Sequence, residues 1–254
     1  MCDPVRVTDA ERDEVRAAVR QAVSVSFATG LYGVSFGALS VAAGLDLAQT
    51  MALSLLMFSG GSQFAFIGVV ASGGTATAAV ATAGLLGVRN GLYGPQVAPL
   101  LGAHGWRRPL AAQLTIDEST AVGTAHPPGR AARAGFWWTG VGVFVLWNLF
   151  TLGGALLGDA LGDPRRYGLD AAAAAAFLAL VWPRLSGPHA RLARLVGGAA
   201  VVAALATTPV LPAGVPVLLA AAIAIVVGML APAAPEPHRD EARSADPADE
   251  GGRR

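Results

Sequence analysis

One charged side chain, Arg89, lies within a stretch of sequence that is apolar enough to sit in a lipid bilayer. Between Arg20 and Arg89 the chain carries a single other charge, Asp46. A guanidinium at membrane depth costs about 2.5–3.5 kcal/mol on insertion scales, so it usually faces a partner, a cavity or a substrate. Arg89 is therefore a candidate substrate-binding residue, and its position indicates a transport pathway.

Two adjacent acids, Asp117 and Glu118, offer Arg89 a possible partner in a weaker apolar segment. Two interpretations of Arg89 stay open: it binds a substrate carboxylate, or it pairs with one of these acids. A carboxyl group in a dry site can take up and release a proton near neutral pH, so both acids are candidate proton-coupling residues. The alternative is an interfacial helix whose acids are solvated.

A cluster of small and hydrogen-bonding residues interrupts the second apolar segment. The run Phe58-Ser59-Gly60-Gly61-Ser62-Gln63-Phe64 predicts a broken helix, and freed backbone groups are tolerated in a membrane only where they meet protein or line a cavity. We expect Gly60, Gly61, Ser62 and Gln63 to supply backbone and amide hydrogen bonds to a substrate. Close helix packing through small residues is the competing interpretation.

The third apolar segment has a similar composition around Arg89. Asn90 and Tyr93 follow the arginine, glycines flank them, and Pro95 removes one backbone donor. This pattern predicts a second interrupted helix. We expect Asn90 and Tyr93 to contribute to the substrate site, with Phe36, Phe58 and Phe64 as its apolar wall.

Composition places these residues in an all-α polytopic membrane protein. Of the 254 residues 54% are hydrophobic and 14% charged, and the mean hydropathy is +0.52. Several apolar runs have the length that a helix needs to cross a hydrocarbon core of about 30 Å. These runs lie near residues 21–45, 48–71, 75–101, 134–158, 168–183, 192–208 and 212–230, with a weaker one at 109–125.

The number of spans depends on the weak segment 109–125. If this segment crosses there are eight transmembrane helices, and the arginine loops fall on the N-terminal side, as the positive-inside rule asks. If it does not cross there are seven, and the arginines share one side only if another segment, such as 48–71, is re-entrant. Either way we expect interrupted helices 2 and 3.

Three regions follow from this pattern. Residues 1–20 are predicted to form a cytoplasmic juxtamembrane helix carrying Arg12, Arg16 and Arg20, and residues 21–230 the transmembrane permease domain. Residues 231–254 read as a disordered tail. The expected location is the inner (plasma) membrane, with a cytoplasmic N-terminus. We expect the protein to contact the lipid bilayer and not to bind nucleic acid.

Several motifs that suggest enzymes have a simpler explanation. Gly33-Val34-Ser35-Phe36-Gly37 matches a nucleophile pattern, yet within a membrane helix its G-x-x-x-G spacing favours close packing. The four histidines fall in predicted loops or the tail, so we expect neither a catalytic dyad nor a metal site. No ATP-binding loop, and no other cofactor motif, is recognised.

Taken together, these residues resemble the AzlC family of permeases, the large subunits of branched-chain amino acid exporters. The resemblance covers about residues 20–230 and is carried by the following stretches: Tyr32-Gly33-Val34-Ser35-Phe36-Gly37, Phe58 to Phe64, Arg89-Asn90-Gly91-Leu92-Tyr93, Asp117-Glu118, Gly168-Leu169-Asp170, Phe177-Leu178-Ala179-Leu180 and Pro183. It implies a secondary exporter of hydrophobic amino acids that works with a small AzlD-type membrane subunit.

The chain departs from this family at two places. The family typically has histidine after the third-span arginine, where Asn90 stands here, and it often has a proline early in the first span that is missing. Because an amide cannot titrate, position 90 has no proton role in this chain.

The resulting hypothesis is a proton-driven exporter of branched-chain or similar hydrophobic amino acids. Spans two and three would converge near the midplane, where Arg89 binds the substrate carboxylate and Asp117 or Glu118 carries the proton. The alternative function is a passive channel for a small solute, in which the glycine-rich breaks form a filter.

Overall fold

The computed structural model describes residues 9–161, 190–212 and 214–230, together with isolated positions between 162 and 189. The described chain is all-α, as predicted. Its helices are α1 (Asp9–Ala42), α2 (Leu47–Leu56), α3 (Gly60–Ala71), α4 (Ala76–Leu92), α5 (Gly94–Leu101), α6 (Arg107–Gln113), α7 (Asp117–Thr124), α8 (Arg130–Leu161), α9 (Ala190–Thr207) and α10 (Val215–Leu230). The resemblance stretches at 168–170 and 177–183, and the predicted tail, lie outside the residues described as continuous structure.

Two long helices, α1 and α8, form the centre of the fold and run parallel to each other. Glu11 near the start of α1 forms an ion pair with Arg130 at the start of α8, with 3.4 Å between Oε1 and Nε. Further along, Ser26 donates a hydrogen bond to the Thr139 carbonyl at 3.3 Å. We call the end of the molecule at Glu11 and Arg130 the arginine end, and the end at Ala42 the opposite end.

Glycines allow α1 and α8 to approach at backbone distance. A Cβ built on Gly33 would lie 2.6 Å from the Trp147 carbonyl oxygen, and one on Gly37 would overlap the Thr151 carbonyl. From the other side, a Cβ on Gly154 would overlap Val34. The G-x-x-x-G spacing in the first segment therefore serves close helix packing, which confirms the sequence interpretation.

Helices α2 and α3 form a hairpin that enters and leaves at the opposite end, which we call hairpin 1. Asp46 caps α2 by accepting from the Gln49 N–H at 2.7 Å, and the chain leaves helical geometry between Leu56 and Gly60. The Gln63 side chain donates a hydrogen bond to the Leu53 carbonyl at 2.9 Å, which would be impossible if residues 47–71 formed one continuous helix. The predicted break in this segment is present.

Helices α4 and α5 together make one crossing from the opposite end to the arginine end. The side of α4 at Gly87 faces Ser62, and its start at Ala78 lies beside Val69, so α4 runs antiparallel to α3. A single residue, Tyr93, separates α4 from α5 and keeps a right-handed helical backbone. The predicted second interruption is thus a one-residue joint. Pro95 fits at the start of α5 because the first N–H groups of a helix have no intrahelical partner, so its missing N–H breaks no helical hydrogen bond.

Helices α6 and α7 form a second hairpin, hairpin 2, that enters and leaves at the arginine end. Its tip residue Leu114 packs on Gly140 of α8, whereas Val122 lies beside Gly135, closer to the start of α8. Helix α7 is therefore antiparallel to α8. Because the tip reaches only the middle of α8, the weak segment 109–125 does not cross.

The described part of residues 9–161 thus has three complete crossings and two hairpins. Segment 48–71 is re-entrant, the alternative that the sequence left open if segment 109–125 does not cross, and the total of seven or eight spans is not confirmed. A break in the middle of an apolar run lets the chain turn back, which hydropathy alone cannot distinguish from a crossing. The division at residue 20 stays a prediction, since α1 continues through that position without interruption.

Three of the described helices are long and apolar enough to cross a membrane. They are α1, the first 29 residues of α8, and α9. The turn before α10 lies at the opposite end, because Gly214 packs near Val69 and Ala78. Helix α10 packs mainly on α9.

Replacing Gly37 by alanine tests the parallel packing of α1 and α8. The new methyl group would meet backbone atoms of α8, which cannot move aside as a side chain can, so we expect a loss of about 1–3 kcal/mol or more. The matched control is Gly84→Ala on α4, where nothing lies within 4 Å of the new methyl group. Thermal unfolding of the purified proteins in detergent measures both; an unchanged Gly37→Ala variant would contradict this packing.

Candidate functional site

A cavity of about 530 Å³ lies between the tips of the two hairpins, at the middle of α1 and α8. This volume is within the usual range for small-molecule sites. The lining residues come from five parts of the chain: Val25, Ala28, Thr29 and Tyr32 of α1; Phe58, Ser59, Gly60, Gly61 and Phe64 of hairpin 1; Asn90 of α4; Ile116, Asp117 and Glu118 of hairpin 2; and Val143 and Trp147 of α8.

The tip of hairpin 1 directs a helix N-terminus at this cavity. Helix α3 begins at Gly60, and the Ser59 side chain makes no capping hydrogen bond to it. The first N–H groups of a helix have no intrahelical partner, and the helix dipole adds partial positive charge there. Since Gly60 and Gly61 both line the cavity and carry no side chains, their backbone is open to an anionic group.

The tip of hairpin 2 is closed locally by Ser119. This hydroxyl accepts from the Ile116 N–H at 3.0 Å and donates to the Leu114 carbonyl at 2.6 Å. Helix α7 then begins with Asp117 and Glu118, whose negative charges suit the positive end of that helix. The sequence therefore places two carboxyl groups at the depth of the cavity.

Arg89 and Asp117 form an ion pair across the molecule. The Arg89 Nη2 atom lies 2.7 Å from Asp117 Oδ2, and the Tyr93 hydroxyl donates a short hydrogen bond to the other carboxylate oxygen. The side chains are 29% and 19% exposed, respectively. Of the two interpretations of Arg89, the structure shows the ion pair with an acid. The guanidinium does not line the cavity. Its binding of a substrate carboxylate stays a prediction.

Glu118 differs from Asp117 in its surroundings. It lines the cavity, and the Thr29 hydroxyl of α1 lies beside its carboxyl group. Arg89 acts on it only at longer range, since the described ion pair of Arg89 is with Asp117. The two adjacent acids therefore have different partners, because consecutive helical positions point about 100° apart.

Aromatic rings form the apolar side of the cavity. Phe64 meets Trp147 edge-on at 6.2 Å between ring centroids, and Phe58 packs on Phe144 at 5.0 Å. Phe36 is fully buried behind this wall, 5.8 Å from the Phe64 ring and 6.0 Å from Trp147. Phe36 therefore supports the wall and does not line the cavity, contrary to expectation.

The polar side chains of two further predicted site residues contact other groups of the protein. Gln63 is fully buried and uses its amide N–H₂ on the Leu53 carbonyl, and Ser62 is 3.2 Å from the Ser59 hydroxyl. Seven of the predicted site residues line the cavity: Phe58, Gly60, Gly61, Phe64, Asn90, Asp117 and Glu118. The other five do not: Phe36, Ser62, Gln63, Arg89 and Tyr93.

The sequence interpretation missed the contributions of α1 and α8. Thr29 and Tyr32 lie on the α1 side of the cavity, and Trp147 lies on the α8 side. Tyr32 belongs to the sequence Gly-Leu-Tyr-Gly at 30–33, which occurs again at 91–94. This recurrence could have drawn attention to Tyr32. Among the described residues, no group of three or more His, Cys, Asp or Glu side chains could hold a metal ion.

Comparison with known proteins gives one match. The family described as "AzlC protein" matches residues 24–161, which is more than half of the chain and contains both hairpins, α4, α5 and most of the α1–α8 pair. No curated protein and no solved structure matches the chain. The apolar helices indicate a membrane protein, and the family indicates a role in transport. The chain belongs to the AzlC family.

Proposed function

We propose that this protein is a secondary active exporter of branched-chain or similar hydrophobic amino acids across the inner membrane. The observation that carries the proposal is the cavity at mid-depth, which is lined by a helix N-terminus, a carboxyl group and aromatic rings. An amino acid is a zwitterion with an apolar side chain, and each of its three parts has a complementary surface there.

The charges of the cavity fit the two ends of the zwitterion. The substrate carboxylate would accept hydrogen bonds from the backbone of Gly60 and Gly61 at the positive end of α3. Its ammonium group would face Glu118, because the charge of Asp117 is already neutralised by Arg89. In this arrangement Arg89 acts by holding hairpin 2 against α4 rather than by touching substrate.

The aromatic wall favours an aliphatic side chain but cannot distinguish finely among them. Burying a side chain of leucine size contributes about 1.5–3 kcal/mol, and one methylene more or less changes binding by only about 1–3 kcal/mol. Phe58, Phe64 and Trp147 offer an apolar surface without polar groups specific to one substrate. We therefore expect valine, leucine, isoleucine and methionine to compete.

Proton coupling is assigned to Glu118. A carboxyl group that faces a mostly apolar cavity can exchange a proton with each cycle, whereas Asp117 is tied to Arg89 and Tyr93. The substrate ammonium and a proton would then compete for the same group, which couples their movements in opposite directions.

Charge distribution supports the proposed orientation. The arginines of α1, α6 and the start of α8 lie at the arginine end: Arg12, Arg16, Arg20, Arg107, Arg108, Arg130 and Arg133. The connections 43–46 and 72–75 at the opposite end carry Asp46 and no arginine, and Arg166 is the arginine described directly after the end of α8. By the positive-inside rule the arginine end faces the cytoplasm. The small AzlD-type subunit is proposed on the family relationship alone.

Amino acid efflux tests the proposed function directly. Cells are loaded with a leucine- or valine-containing dipeptide, and release of the free amino acid is followed with and without this protein and its partner subunit. We expect faster, saturable efflux that a protonophore abolishes. Unchanged efflux would contradict the exporter, and non-saturable, protonophore-insensitive efflux would favour the passive channel.

The Glu118→Gln variant tests proton coupling. The amide keeps the size of the side chain but can neither titrate nor offer a negative charge to the substrate ammonium group, so both net efflux and amino acid counterflow should fall by at least about tenfold. Glu11→Gln is the matched control, because its carboxylate lies at the arginine end, outside the cavity. Wild-type efflux from Glu118→Gln, at equal protein level, would exclude this residue as the proton carrier.

A charge-neutral double variant tests the role of Arg89. Arg89→Gln alone leaves Asp117 unpaired, and we expect a loss of about 1–3 kcal/mol, below the cost of breaking a fully buried pair because both side chains are partly exposed. Adding Asp117→Asn should restore both the protein level, measured by immunoblot, and most of the efflux. Recovery of the protein without recovery of efflux would instead make Arg89 a substrate ligand.

A further inference from the structure

A second cavity, of about 430 Å³, lies at the arginine end between the base of hairpin 2 and the start of α8. It is separate from the cavity between the hairpin tips and shares no lining residue with it. Its lining combines a short apolar floor, three basic side chains and two indoles: Leu101, Gly102, Ala103, His104, Arg107, Arg133, Ala134, Trp137 and Trp138.

The two arginines of this cavity come from different helices. Arg107 begins α6, and Arg133 lies in the first turn of α8. No described acidic residue forms an ion pair with either of them, although Arg130 nearby pairs with Glu11. Two guanidinium groups facing one space favour an anion with several acceptor oxygens, such as a phosphate group.

Two indoles, Trp137 and Trp138, line the same cavity, and Trp138 is 57% exposed. Trp106, next to Arg107 in the chain, is 71% exposed, and the Arg107 guanidinium lies 5.7 Å from the centre of its ring. Tryptophan side chains favour the boundary between hydrocarbon and headgroups, where an apolar ring can have one wet edge. The cavity therefore lies at the depth of the lipid headgroups.

We propose that this cavity binds the phosphate headgroup of an anionic phospholipid. A headgroup is favoured over a soluble phosphate because the indoles at its rim would contact the glycerol backbone and the start of the acyl chains. Basic cavities between helices on the cytoplasmic side are suited to anionic headgroups. The lipid would link Arg107 to Arg133 and so fix the base of hairpin 2 to α8.

Lipid-dependent thermal stability tests the proposal. The purified full chain in neutral detergent is titrated with phosphatidylglycerol or phosphatidylcholine, and unfolding is followed on heating. We expect phosphatidylglycerol to raise Tm saturably and phosphatidylcholine to have little effect. In Arg107→Gln/Arg133→Gln the apparent affinity for phosphatidylglycerol should fall by on the order of tenfold or more. Arg133→Gln alone should give a smaller fall if the double variant does not fold.

The matched control is Arg108→Gln, which removes the same charge from the adjacent position of α6 without altering the cavity lining. It should respond to phosphatidylglycerol as the wild type does. An equal loss in Arg108→Gln would mean diffuse surface charge and contradict the proposal, as would equal stabilisation by both lipids. Stabilisation by inorganic phosphate at the same phosphate concentration would overturn the lipid assignment in favour of a soluble anion.

Discussion

Backbone that leaves helical geometry at membrane depth must be enclosed by protein, because no water is available there to satisfy its N–H and C=O groups. Two such breaks occur here, at residues 57–59 and 114–116, and the fold brings them together. The Gln113 side chain at one tip donates to the Leu55 carbonyl at the other, 3.0 Å away, and Gln63 satisfies Leu53. Hairpin 2 thus satisfies one backbone carbonyl at the tip of hairpin 1, and hairpin 1 satisfies another with its own side chain.

The close approach of α1 and α8 makes this meeting possible. Glycines on both helices remove the side chains that would otherwise separate them, so a compact, rigid pair occupies the centre and the two hairpins pack against it from opposite ends. The shortened hairpins do not fill the middle of the molecule, and the space left between their tips is the cavity. The electrostatics follow from the same arrangement, since a hairpin that turns back at mid-depth begins its second helix there. The N-termini of α3 and α7 therefore lie at the cavity, one open and one carrying acids.

Local chemistry could be predicted from the sequence, but the path of the chain could not. The glycine-serine run at 58–64 identified the first break, and Arg89 with Asp117 identified a pair that the structure contains at 2.7 Å. Hydropathy cannot show whether a broken apolar segment crosses or turns back, so the sequence left open whether segment 48–71 spans the membrane or re-enters it. The same limit affects the site: Gln63 and Phe36 have suitable types, yet the hairpin turns Gln63 toward Leu53, and Phe36 lies on α1 behind the Phe64 ring. Tyr32 and Trp147 enter the cavity only because α1 and α8 are parallel, a relation between residues more than a hundred positions apart.

The opposite entry of the two hairpins has a consequence for access to the cavity. A solute from the arginine end must pass hairpin 2, and a solute from the opposite end must pass hairpin 1. These hairpins are packed differently. Helix α7 lies along α8 over most of its length, whereas α2 and α3 splay around a groove of about 790 Å³ lined by Leu45, Leu53 and Phe66 among others. A movement of hairpin 2 must disturb the Arg89–Asp117 pair, whereas a movement of hairpin 1 must disturb the core contacts of Phe58, Phe64 and Ile67. The two entrances are therefore bounded by different interactions, an ion pair on one side and apolar packing on the other. The proposed export needs these two sets of contacts to open at different times.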